Sequence, residues 1–329
     1  MPDSRTLLYV PKFARALCGA SAELRAPLLE KFFARARRSP LTSGLKILAS
    51  QFGLEREGFP VAAIERFGGG GARDAHYWWR ADPAHLLVDR DQVAMLPRAG
   101  LAVTAEEARA LAARLNEFYA ADQLLLETPR PEVWYLRVPG DWRCCSFDSA
   151  RVEGWAITEF MPTGPDEDRL RKLMNEIQML FYDHPVNQAR EQTGKLAINS
   201  LWLWGGGRLP EGAPRAPDRI ITDLPLVRGL AKLADHGCEN LSGDVRLDTH
   251  SQSTLLGAAG DFGGDPRRFA REVLRPAWAA LLRGHTSAVE LFLGGDWQYS
   301  LSRAAALSFW RRPVPLARSF APPDAAPQD

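Results

Sequence analysis

NEIQMLFYDHPVNQAREQTGKLAINSLWLWGGG, residues 175–207, joins a helical pattern to an apolar run. Its last ten residues, INSLWLWGGG (198–207), are an apolar run closed by three glycines. Such a run reads as a buried strand that leaves into a tight loop. Before it, a helix from Asp166 to about Asp183 places Leu170, Leu173, Ile177 and Leu180 on one face. Pro185 ends that helix, because it disfavours helical geometry at His184. Outward from this core, RIITDLP (219–225) reads as a second short strand and leads into a helix from Leu226 to about Asp235. A helix from Pro266 to Leu282 precedes AVELFLGGD (288–296) and then WQYSLS (297–302). Apolar strands alternating with helices predict an α/β protein, with a mainly parallel sheet and flanking helices. On this reading residues 165–310 form one continuous sheet.

Toward the N-terminus, RTLLYV (5–10) reads as a first buried strand stopped by Pro11. Helical patterns follow at 22–37 and 42–53, and GGGGAR (68–73) punctuates the chain as a loop. HYWWRADPAHLLVDRDQVAML (76–96) alternates well enough for a strand pair. Thr104 opens an amphipathic helix through Tyr119, with Glu107 three residues on as the partner of a capping box. EVWYLRV (132–138) is strand-like. This divides the chain into a smaller α+β N-terminal part (1–130), a C-terminal α/β part (131–312) and a Pro-rich tail (313–329). No repeat of 20–50 residues is present, which sets solenoids and propellers aside.

The chain has 329 residues, of which 46% are hydrophobic and 25% charged, an ordinary globular composition. Lys+Arg is 41 and Asp+Glu is 40, so the net charge is +1. That balance provides no basic footprint for nucleic acid or an anionic membrane. No window approaches the ~20 apolar residues that span a bilayer. Asp3 before the first apolar run, and Lys12 and Arg15 inside it, argue against a signal peptide. Cys18, Cys144, Cys145 and Cys238 show no zinc spacing and read as reduced thiols. A cytoplasmic location is expected, with a protein partner or a small anionic ligand, and with neither nucleic acid nor membrane.

Within 175–207, His184, Asn187 and Arg190 lie close in sequence to Asn199 and to Gly205, Gly206 and Gly207. Glycines at a strand's end can present backbone N–H groups to an anion, and Arg190 offers a planar fork for phosphate or carboxylate. The expectation is an anion pocket. The competing reading has the glycines turning the chain while His184 and Asn187 cap helix ends. Neither G-x-x-x-x-G-K-[ST] nor G-x-G-x-x-G occurs. Trp202 and Trp204 share one face of a strand, as core or as a stacking platform. Asp248, His250 and Ser251 offer metal-ligand or nucleophile chemistry, or a capped turn. No G-x-S-x-G or H-E-x-x-H is present.

The run NEIQMLFYDHPVNQAR, then INSLWLWGGG, then SFWRRPVPL (308–316) resembles the RpfE-type regulatory protein family of proteobacteria over roughly residues 5–315. More distantly, INSLWLWGGG and IITDLPLVRGLAKLA (220–234) are similar to segments of archaeal-type cofactor-independent phosphoglycerate mutases. The resemblance implies an alkaline-phosphatase-like fold. In the mutases two divalent metals and a serine nucleophile carry phosphoryl transfer, and carboxylates and histidines hold the metals. Here the first strand ends Leu7-Leu8-Tyr9-Val10-Pro11, without the family's Asp-Gly. The family's His-rich segment corresponds to Gly260–Asp265, which keeps Asp261 and Asp265 but has no histidine. The last ligand pair corresponds to Asp296-Trp297, and a tryptophan cannot ligate a metal. Together these imply a degenerate relative with no cofactor and no catalytic residue, acting through a retained pocket or partner surface. The alternative is an active phosphate-ester enzyme with rearranged ligands.

Overall fold

The computed structural model describes residues 4–14, 25–41, 43–54, 58–89, 92–241, 247, 251–260, 262 and 265–316. In chain order the strands are β1 (Arg5–Tyr9), β2 (Arg37–Pro40), β3 (Tyr77–Ala84), β4 (Leu86–Asp89), β5 (Gln92–Met95) and β6 (Leu125–Arg130). They continue with β7 (Val133–Val138), β8 (Ser200–Gly207), β9 (Arg219–Thr222), β10 (Ser253–Gly257), β11 (Ala288–Phe292) and β12 (Trp297–Ser302). The longer helices are α1 (Pro27–Arg35), α2 (Gly44–Gln51), α3 (Val61–Gly68) and α4 (Ala105–Phe118). After them come α5 (Glu167–Tyr182), α6 (Pro185–Gln192), α7 (Pro225–Leu233) and α8 (Arg275–Arg283). None of the helices among the described residues is long and apolar enough to cross a membrane.

The chain forms two compact units. The first joins residues 1–55 to 212–329, and the second is the insertion 56–211. The expected boundary near residue 130 therefore falls inside the second unit, between β6 and β7.

The first unit is built on a six-stranded sheet in the order β2-β12-β11-β1-β10-β9. β9, β10, β1 and β11 are parallel, with Leu7 level with Leu255 and Glu290, while β12 and β2 add antiparallel edges. Leu7 and Leu8 of β1 are both buried, as expected where helices cover the two faces of a parallel sheet. Val227 and Leu230 of α7 and Ala277 and Leu281 of α8 supply buried apolar faces.

The second unit holds an antiparallel sheet, β6-β7-β3-β8, and the β4–β5 hairpin. The expectation of one continuous sheet over 165–310 is corrected here. β8 pairs antiparallel with β3, Ala81 opposite Leu203, and never joins β9 and β11. The cause is local: α5 and α3 both pack on β8, so it is buried on both faces and imitates a parallel core strand. Gly205, Gly206 and Gly207 are likewise the end of β8 and not a loop beyond it.

Candidate functional site

The 184–207 segment is held together by its own polar groups. His184 caps α6, its Nδ1 accepting from the Val186 N–H at 3.2 Å. Asn187, 1% exposed, donates from Nδ2 to the carbonyls of Phe181 and Ile198 at 2.8 and 2.9 Å. Its Oδ1 accepts from the Ile198 N–H at 2.7 Å. One amide thus ties the end of α5 to the chain leading into β8. Asn199 does the same for Leu86, accepting from its N–H at 2.8 Å and donating to its carbonyl at 2.9 Å.

Arg190, also 1% exposed, donates from Nε to the Leu196 carbonyl at 2.7 Å, from one terminal nitrogen to Glu107 at 2.7 Å, and from the other to the Leu101 carbonyl. An anion would have to compete with all three acceptors. Burial pushes the Glu107 carboxyl up, but the Thr104 N–H and the Arg190 guanidinium outweigh it and hold the group below the usual range.

The glycines serve packing. A Cβ on Gly206 would lie 2.6 Å from the Trp79 ring, and one on Gly207 would lie 2.5 Å from Pro60. Gly205, at φ +61°, takes a conformation that favours glycine and passes Val61 closely. Of the seven expected anion-site residues, only His184 lines the groove described below. The other six hold elements together.

The tryptophans of β8 are core residues with polar handles. Trp202 donates to the Phe147 carbonyl at 2.8 Å, and Trp204 to Asp82 Oδ2 at 2.7 Å. Asp82 is fully buried and also meets Arg80 at 2.8 Å, Arg98 at 3.0 Å and Ser149 at 2.5 Å. Burial would raise this carboxyl, yet the two guanidiniums and the Ser149 and Trp204 donors hold it below its ordinary value.

In open α/β sheets ligands bind beyond the carboxyl ends of the strands. At that edge of the first unit β1 ends in Tyr9, stacked on Phe292 of β11 with centroids 5.1 Å apart. Gly44 lies so near Phe292 that a Cβ would be 2.2 Å from the ring. Val10 is buried and its N–H donates to the Phe292 carbonyl. Asp265 caps the short 266–269 helix, accepting from the Arg267 N–H at 2.8 Å. Asp296 is exposed, and the following Trp297 carries the Arg38 guanidinium 3.4 Å over its ring. Asp223, which the sequence reading missed, stands just beyond β9, and its carboxylate accepts from the Ala259 N–H at 2.6 Å. Asp261, Asp248 and His250 lie outside the described residues. Among the described residues no group of three or more His, Cys, Asp or Glu is placed to hold a metal ion. Cys144, Cys145 and Cys238 are free thiols, and burial, with Asp166 nearby, pushes the Cys144 thiol up to about 11. That shift opposes thiolate chemistry.

A groove of about 1030 Å³ opens in the second unit between α4 and α5. Arg169, Lys172, Glu176 and Met179 of α5 line one side, Arg114 and Phe118 of α4 the other, with Trp142 and His184 also on its wall. The Arg169 guanidinium lies 4.1 Å over Trp142, and the Tyr119 hydroxyl donates to Glu176 at 2.8 Å. Burial, with Arg114 nearby, lowers the His184 pKa and so favours its uncharged imidazole. This groove was invisible in sequence, because its walls are the outer faces of two helices 50 residues apart.

No protein-family profile matches the chain. Among curated proteins it is 35% identical over 113 residues to a probable 2,3-bisphosphoglycerate-independent phosphoglycerate mutase of Geobacter sulfurreducens. It is 34% identical over 107 residues to the 2,3-bisphosphoglycerate-independent phosphoglycerate mutase 2 of Methanothermobacter thermautotrophicus. The matches take in 32% and 29% of this chain and 28% and 26% of the relatives, so the chain matches little more than a quarter of their length. Among solved structures it resembles the cofactor-independent phosphoglycerate mutase of Thermoplasma acidophilum, with 18% identity and a TM-score of 0.36 over 91% of this chain and 90% of that one. A protein of Pyrococcus horikoshii is similar at 12% identity and a TM-score of 0.47, over 92% and 88%. The chain is thus distantly similar to the cofactor-independent phosphoglycerate mutases.

Proposed function

We propose that this chain is a non-catalytic relative of the phosphoglycerate mutases, a regulatory protein of the RpfE type that acts through a partner surface or a bound small anion. One observation carries the reading. Where a metal-dependent relative needs a carboxylate at the end of its first strand, β1 ends in Tyr9-Val10-Pro11, with Tyr9 stacked on Phe292. The stacked Tyr9 and Phe292 rings put no carboxylate there, the ligand that a hard divalent cation prefers. Trp297, beneath Arg38, offers no ligand either. The curated relatives keep a second reading in play, that of a phosphate-ester enzyme with rearranged ligands.

Elemental analysis of the purified chain after dialysis against Mn²⁺ and Zn²⁺ separates the two. The proposal expects less than stoichiometric metal at neutral pH. Two equivalents per chain would favour the second reading. Calorimetric titration with 3-phosphoglycerate then asks whether an anion is bound at all. Saturable binding supports regulation by a small ligand, and its absence leaves regulation through a protein surface.

A further inference from the structure

The outer face of α5 carries an ordered row of side chains that the preceding reading does not use. Arg169, Lys172, Glu176, Met179 and Asp183 follow one another at steps of three and four residues, the spacing of a coiled-coil seam. The opposite face buries Leu170, Leu173, Ile177 and Phe181 in the core, so the row points to solvent. Met179 is 79% exposed, and across the groove Phe118 is 55% exposed. Large apolar side chains flanking a groove mark an association surface.

The charges choose the partner. Read along the helix, the row is positive, positive, negative, apolar, negative. A copy laid parallel in register would oppose like charges at four of the five positions. A copy laid antiparallel sets Arg169 against Asp183 at both ends, because a two-fold axis makes every contact occur twice. Among the described residues neither Arg169 nor Asp183 has an ion-pair partner in its own chain. Arg169 instead rests on Trp142, which fixes its direction. Glu176 falls near the axis, where its own Lys172 at 3.7 Å and the Tyr119 hydroxyl offset the approach of two carboxylates. We propose that this face binds a second copy of the chain in an antiparallel, two-fold interface centred near Glu176. The inference does not depend on whether the protein is catalytic.

Sedimentation velocity of the full chain at several concentrations provides the test. The unmodified chain should sediment as a dimer. Arg169→Asp and Asp183→Arg should each weaken the dimer at least tenfold, and Met179→Lys should do the same, because in this register position 179 faces Lys172 of the other copy. The double variant, Arg169→Asp with Asp183→Arg, should restore it, because the swapped charges meet again at both ends. These side chains lie at the surface, and circular dichroism establishes that each variant is folded. A monomeric unmodified chain would overturn the proposal. So would a dimer indifferent to both single reversals, or a double variant no better than either single.

Discussion

Arg190 and Asp82 are buried charges of the second unit, each held by several partners. At Arg190 the three acceptors of the guanidinium come from the 196 and 101 carbonyls and from Glu107, so the side chain closes α6 onto α4. Arg190→Ala should cost about 2–4 kcal/mol in urea unfolding, since it strips a buried ion pair and leaves carbonyls unpaired. If the guanidinium serves an anion instead, stability would hold and phosphate binding would vanish. Asp82 sits among two guanidiniums, a serine and a tryptophan. Asp82→Asn should cost about 3–5 kcal/mol, because Arg80 then remains buried with less compensation. The pH dependence follows from the lowered native pKa of Asp82. Its contribution is complete above the unfolded carboxyl value of ~3.9 and is lost as pH falls through the lower native value. Unfolding midpoints measured from pH 5 to pH 3 should therefore fall more steeply for the unmodified chain than for Asp82→Asn.

At the scale of elements, sequence periodicity and caps were sound guides. The capping box at Thr104 forms as read, with Thr104 accepting from the Glu107 N–H at 3.2 Å and Glu107 from the Thr104 N–H at 2.8 Å. Thr104→Ala should lower stability by about 1 kcal/mol, measurable as a shift in melting temperature. The reading failed at the glycines of β8. Three consecutive glycines signal a loop when only local preference is weighed, but here they admit Val61, Trp79 and Pro60 against a strand. A packing need of that kind depends on residues more than a hundred positions away and leaves no local mark. Gly206→Ala should destabilise by about 1–3 kcal/mol through collision with Trp79, and near-ultraviolet circular dichroism should report the disturbed tryptophan.

At the scale of the whole molecule, alternation of strands and helices was enough to find the parallel sheet, since β1, β9, β10 and β11 do pair side by side. It could not reveal that residues 56–211 form a unit of their own, because β8 has the apolar content of a parallel strand while pairing antiparallel. The candidate anion residues were drawn together by nearness in sequence, whereas the fold gives six of them to internal contacts. At the end of β1 the letters Tyr9-Val10-Pro11 contain no carboxylate, and that bears on metal chemistry only through the resemblance to the mutases. That strand end also carries the central claim. Turnover of 3-phosphoglycerate by the full chain, assayed with Mn²⁺ supplied, tests it most directly. A non-catalytic chain gives a rate indistinguishable from buffer, and sustained interconversion of 3- and 2-phosphoglycerate that tracks the purified chain would contradict that claim.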